Sequence, residues 1–115
     1  MRLLVVGSLV LGIALLTGAA EAEEAAGAVT IGTGTVSCGL WTAARRDRTA
    51  TPAEQWILGF LSGVGFMGFT TSRRINPLSG VDGSAVLAWV DNYCRDHPLN
   101  LVSTAGIAFM VAHPR

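Results

Sequence analysis

Thr51-Pro52-Ala53-Glu54-Gln55-Trp56-Ile57-Leu58-Gly59-Phe60-Leu61-Ser62-Gly63-Val64-Gly65-Phe66-Met67-Gly68-Phe69 is the stretch on which the fold turns. It opens with a helix-start signal. Thr51 is placed to accept a hydrogen bond from the backbone at Glu54, and the Glu54 carboxylate to reach back to the Thr51 amide. Pro52 falls at the first helical position, where its missing N–H is no loss. Beyond it, Trp56, Ile57, Leu58, Phe60, Leu61, Val64, Phe66, Met67 and Phe69 run almost all the way round a helical wheel. That pattern predicts a central buried helix. The run is too short for a bilayer span, which takes about 20 apolar residues.

Gly59, Gly63, Gly65 and Gly68 interrupt this helix, each at roughly 0.5–1 kcal/mol against alanine. Gly59 and Gly63 lie four apart on one face, which predicts the close approach of a second backbone. The later two mark either fraying or a C-cap. Gly63 to Gly68 also spells G-x-G-x-x-G. A dinucleotide reading requires a strand before the motif and a helix after it; here a capped helix leads into it, so that reading is set aside.

Three further helices follow the same logic. Ser37 is a cap for a helix from Cys38 to about Arg46, with Leu40, Trp41 and Ala44 on one side. Asp82 caps a third helix, Gly83 to Asp96, with Val86, Leu87, Val90, Tyr93 and Cys94 as its apolar stripe. Asp91 and Arg95 are expected to face away as an i, i+4 pair. His97 suits the negative helix end, and Pro98 stops the helix. Asn100 is a cap for a last helix to about Ala112, with Leu101, Val102, Ala105, Ala108 and Phe109 inward. The expected architecture is all-α: a small bundle of about four helices, occupying 37–115.

The N-terminus reads as an export signal. Met1-Arg2 is a short positive start, Leu3 to Leu16 is mostly apolar, and Ala20-x-Ala22 is a small-x-small cleavage pattern. We expect a signal peptide over 1–22 and a flexible or extended arm over 23–36, with Ala28 to Ile31 as a weak strand alternative. The expected location is periplasmic or secreted, with no stable membrane insertion after cleavage. After Ala22, Arg45, Arg46, Arg48, Arg73, Arg74, Arg95 and Arg115 balance Glu23, Glu24, Asp47, Glu54, Asp82, Asp91 and Asp96, and the chain has no lysine. Such neutrality argues against nucleic acid or anionic lipid as the main partner.

The chain has two cysteines, Cys38 and Cys94. An oxidising compartment favours a disulfide between them. The alternative, a reactive or metal-binding thiol, lacks support, because a metal takes about four close ligands and only His97 and His113 could join. No metal or cofactor is expected. Nor does a catalytic constellation stand out. Ser62 has no base near it in sequence, and His97 beside Asp96 does not face it on a helix. The expectation is a non-enzyme.

Two polar segments remain. Arg45-Arg46-Asp47-Arg48 reads as a solvated basic cluster. Thr70 to Val81, with Arg73, Arg74, Asn76-Pro77 and Ser79-Gly80, reads as a loop. A loop of this length is either a connector or functional. Arg73, Arg74 and Asn76 are the candidate partner contacts.

Gln55-Trp56-Ile57-Leu58-Gly59-Phe60-Leu61-Ser62-Gly63, then Ala88-Trp89-Val90-Asp91-Asn92-Tyr93-Cys94-Arg95-Asp96-His97-Pro98-Leu99, with Ser37-Cys38-Gly39 upstream, resembles small exported hypothetical proteins of alphaproteobacteria. More distantly, the pattern is similar to the periplasmic helical domains of HdeA-type acid chaperones and type VI secretion immunity proteins. The resemblance implies a disulfide-linked helical domain that binds protein, either occluding one effector or holding unfolding clients. The scarcity of acids and lack of lysine depart from the acid-chaperone pattern. The expected function is therefore a non-catalytic periplasmic protein-binding module, immunity-protein-like. An envelope-stress or chaperone-like role without one dedicated partner is the alternative.

Overall fold

A computed structural model describes residues 27–115 of the chain. The signal peptide expected over 1–22 and the start of the arm lie outside the described residues. Four α-helices make up the fold: α1 (Cys38–Asp47), α2 (Thr51–Thr70), α3 (Gly83–Asp96) and α4 (Val102–Ala112). A single 3-10 turn, Thr33–Thr35, precedes them. Among the described residues there is no strand, only one isolated antiparallel bridge between Ser37 and Leu101. The all-α bundle expected from the hydrophobic periodicity is the observed architecture, and no helix among the described residues is long and apolar enough to cross a membrane.

One core joins the helices. Trp41 of α1, Ile57 and Leu61 of α2, Val86 and Val90 of α3, and Val102 and Phe109 of α4 are wholly or almost wholly buried together. Cys38 and Cys94 are bonded within this core, tying α1 to α3. Beside them three backbone bonds stitch the start of α1 to the loop before α4. Cys38 N–H donates to the Asn100 carbonyl at 2.7 Å, Gly39 N–H to Pro98 at 2.9 Å, and Val102 N–H to Val36 at 2.9 Å.

Helix starts follow the expected chemistry in two cases and depart from it in two. Ser37 Oγ accepts from the Leu40 amide at 3.2 Å, and an Asp82 carboxylate oxygen accepts from the Ala85 amide at 2.8 Å. The reciprocal cap at Thr51 and Glu54 does not form: Ala50 is the cap residue of α2 and gives no side-chain bond. Glu54 instead accepts from Arg45 at 2.6 Å, since a charge-assisted bond to a guanidinium outweighs one to a neutral amide. Asn100 does not cap α4 either. Leu101 holds that position, and the Asn100 side chain donates to the Tyr93 hydroxyl at 2.8 Å.

The expectation that α2 is buried all round does not hold: its first half buries one stripe and leaves Thr51, Pro52, Gln55 and Gly59 exposed. Ala53, Ile57 and Leu61 enter the core, but beyond them Phe66, Met67 and Phe69 are 67%, 59% and 84% exposed. Length explains it. A helix of 20 residues runs ~30 Å, while its 14- and 11-residue partners run ~21 and ~17 Å. The end of α2 outruns the helices that would cover it.

The N-terminal arm is tied down from Ile31 onward. The Trp56 indole N–H donates to the Ile31 carbonyl at 2.9 Å, and the Thr33 hydroxyl donates to Pro52 at 3.1 Å. Gly34 lies so close to the Trp56 ring that a Cβ there would stand 2.3 Å from it. The large aromatic on α2 thus provides an anchor that a stretch of alanines, glycines and threonines does not advertise.

Candidate functional site

From Gly59 onward, α2 forms one side of an open groove of about 810 Å³. Gly59 and Gly63 give it a bare floor, Phe60, Val64 and Met67 give apolar walls, and Thr71, Arg73 and Ile75 close one end. A Cβ built on Gly59 or Gly63 would meet nothing within 4 Å. The second backbone expected against this glycine pair is therefore not supplied by the described residues. Both glycines lower the stability of the helix without relieving any crowding among the described residues.

Gly68 and Gly65 do what the sequence assigned to the earlier pair. The loop after α2 folds back over its last turns, and a Cβ on Gly68 would stand 2.2 Å from the Ile75 carbonyl oxygen. On Gly65 it would come within 3.1 Å of the Asn76 side chain. Pro77 is fully buried, while Leu78 and Val81 pack against the core. The Asn76 amide donates to the carbonyl of Arg115. This segment is a fitted flap whose position sets the groove's closed end.

The three candidate contact residues separate here. Arg73 lines the groove and has no salt bridge among the described residues. Arg74 is exposed and does not line it. Asn76 works on the loop itself, through its amide and its fit to Gly65. Sequence reasoning missed Phe66, Met67 and Phe69 as surface. Their helix was read as buried on both halves, and nothing in a single helix's pattern tells where its neighbours stop.

A second cluster ties α1, α2 and α3 together. Arg45, read from sequence as part of a solvated cluster, is inserted between three helices. Its Nε and Nη2 donate to the two oxygens of Asp91 at 2.9 and 2.8 Å, and its Nη1 donates to Glu54 at 2.6 Å. Asp91 also accepts from the indole N–H of the wholly buried Trp41 at 2.8 Å. The expected Asp91–Arg95 pair is accordingly not made; Arg95 bonds Asp96 and Asn92. The hydrogen bonds that Arg45 donates to Asp91, then the one it donates to Glu54, push its pKa above the ordinary value. The guanidinium stays charged, and the cluster is a three-helix clamp.

The groups considered for catalysis are each engaged locally. Ser62 donates to the Leu58 carbonyl at 2.7 Å. The His97 ring nitrogen Nδ1 lies 2.9 Å from the Tyr93 carbonyl, with the ring stacked on Tyr93. His113 repeats the arrangement on Phe109 at the end of α4. None of Ser62, Asp91 and His97 hydrogen-bonds another. Among the described residues no group of three His, Cys, Asp or Glu side chains is placed to hold a metal ion.

Compared with models of protein families, with curated proteins and with solved structures, the chain matches none.

Proposed function

We propose that the chain is a non-catalytic protein-binding module of the periplasm or extracellular space, and that its partner seats in the groove along α2. One observation carries this reading. A helix keeps Gly59 and Gly63 where a Cβ would touch nothing, in a groove that they share with Phe60, Val64 and exposed Met67. Inside the domain those glycines only weaken the helix. Against a partner they allow close approach, and the exposed apolar side chains supply area to bury. The intramolecular disulfide supports an oxidising location.

Affinity capture of the oxidised protein from an envelope extract, with cross-linking and mass spectrometry, tests this. A single stoichiometric partner is expected, lost with Gly63→Leu while the helical circular dichroism and melting temperature stay at or above those of the parent. A partner retained by Gly63→Leu would place the contact elsewhere and refute the groove. The second reading, a chaperone-like envelope protein without one partner, is favoured by Phe69, which projects at 84% exposure and is not among the groove's lining residues. It predicts capture of many partly unfolded proteins and equal weakening by Phe69→Ser.

A further inference from the structure

We infer that the groove takes an apolar helix of another protein, with small residues facing Gly59 and Gly63 and a carboxylate set against Arg73. This rests on the binding-module reading above and names the partner's chemistry. Three features lead to it.

The first is backbone satisfaction. The groove offers few polar atoms, and the Thr71 hydroxyl among them already donates to the Met67 carbonyl at 2.6 Å. An extended peptide laid there would bury N–H and C=O groups with nothing to bond. A helix brings its own bonds with it. The second is shape. The floor is bare over one helical turn at Gly59 and Gly63, so two helix axes can come close if the partner also presents small residues.

The third is charge. Among the described residues Arg73 is the only charged one lining the groove, and no carboxylate of theirs lines it. Arg73 has no salt bridge among the described residues. A partner that covered this guanidinium without an acceptor would remove a charge from water uncompensated. A matching Asp, Glu or terminal carboxylate removes that penalty and fixes which way the helix lies.

The probe is a displayed library of amphipathic helical peptides, randomised on the apolar face and at both ends, selected on the oxidised protein. Enriched peptides are expected to carry Ala, Gly or Ser four residues apart and an acid near one end. Their affinity should fall at least about tenfold on Arg73→Glu, and selection on that variant should replace the acid by Lys or Arg. Enrichment without an acid, or affinity unchanged by Arg73→Glu, overturns the inference. So does a lack of enrichment, or a groove already covered by a second copy in sedimentation or by added phospholipid vesicles. Capture from envelope extract separates the two readings. A partner that needs a bare Gly63 and ignores Arg73 keeps the binding module and removes the acidic helix; a partner indifferent to both removes both.

Discussion

Asp91 is where one carboxylate serves three elements. It accepts from Trp41 of α1 and, through Arg45, shares a guanidinium with Glu54 of α2. The two services differ in kind. The ion pair is about one-third exposed on both sides, so water screens it and its net contribution is about 1 kcal/mol or less. Trp41 is wholly buried, and stranding its N–H costs about 1–3 kcal/mol. Asp91→Asn keeps an acceptor for the indole and should lower stability by about 1 kcal/mol. Asp91→Ala should lower it by about 2–3 kcal/mol, a fall of roughly 10–20 °C in a domain this size. Urea melts of the two variants decide the matter, and equal losses would show that the ion pair outweighs the indole bond. The raised pKa of Arg45 adds stability that is complete below the ordinary arginine value and lost only as pH rises above it, so it stays constant through the neutral range.

At the scale of the element, α2 buries one stripe through Ala53, Ile57 and Leu61, and further on only Gly68, under the flap. Its glycines should therefore respond oppositely to the same substitution. Gly63→Ala meets open space and should raise stability by about 0.5–1 kcal/mol, since alanine is the better helix former. Gly68→Ala drives a Cβ against the Ile75 carbonyl oxygen. It should destabilise and shift the loop, seen as loss of protection at the hydrogen-bonded amides of Ile75 and Asn76 in hydrogen exchange. If both variants gained stability, the flap would not be packed as described. The limits of sequence reading follow the same division. Hydrophobic periodicity located all four helices because each has to bury a stripe, and Asp82 and Ser37 marked two starts because a cap is a local bond. The loss of the Thr51–Glu54 box, the Arg45 clamp and the exposed end of α2 depend on which helix lies beside which, and on how far it runs. No window along one chain segment contains that information.

Among the described residues one core serves four helices, and the topology makes the disulfide weigh heavily. Cys38 and Cys94 stand 56 residues apart in sequence, with all of α2 and the flap between them. Closing a loop of that length removes about 4 kcal/mol of chain entropy from the unfolded state, against a total stability of about 5–15 kcal/mol for ordinary domains. Both sulfurs lie inside the core, so a Cys38→Ala, Cys94→Ala pair also leaves a small gap beside Trp41 and Val90. The double variant should lose about 4 kcal/mol in urea denaturation and be close to unfolded at 37 °C. Adding Gly63→Ala should return about 0.5–1 kcal/mol of that, because a Cβ at Gly63 meets nothing within 4 Å, so the two sites share no partner there and their effects should add. A double-cysteine variant that loses less than about 1 kcal/mol would mean that the backbone bonds from Cys38, Gly39 and Val102 already hold α1 to the α3–α4 corner. In that case the disulfide would guard the fold against slow opening, and the unfolding rate would change instead of the equilibrium.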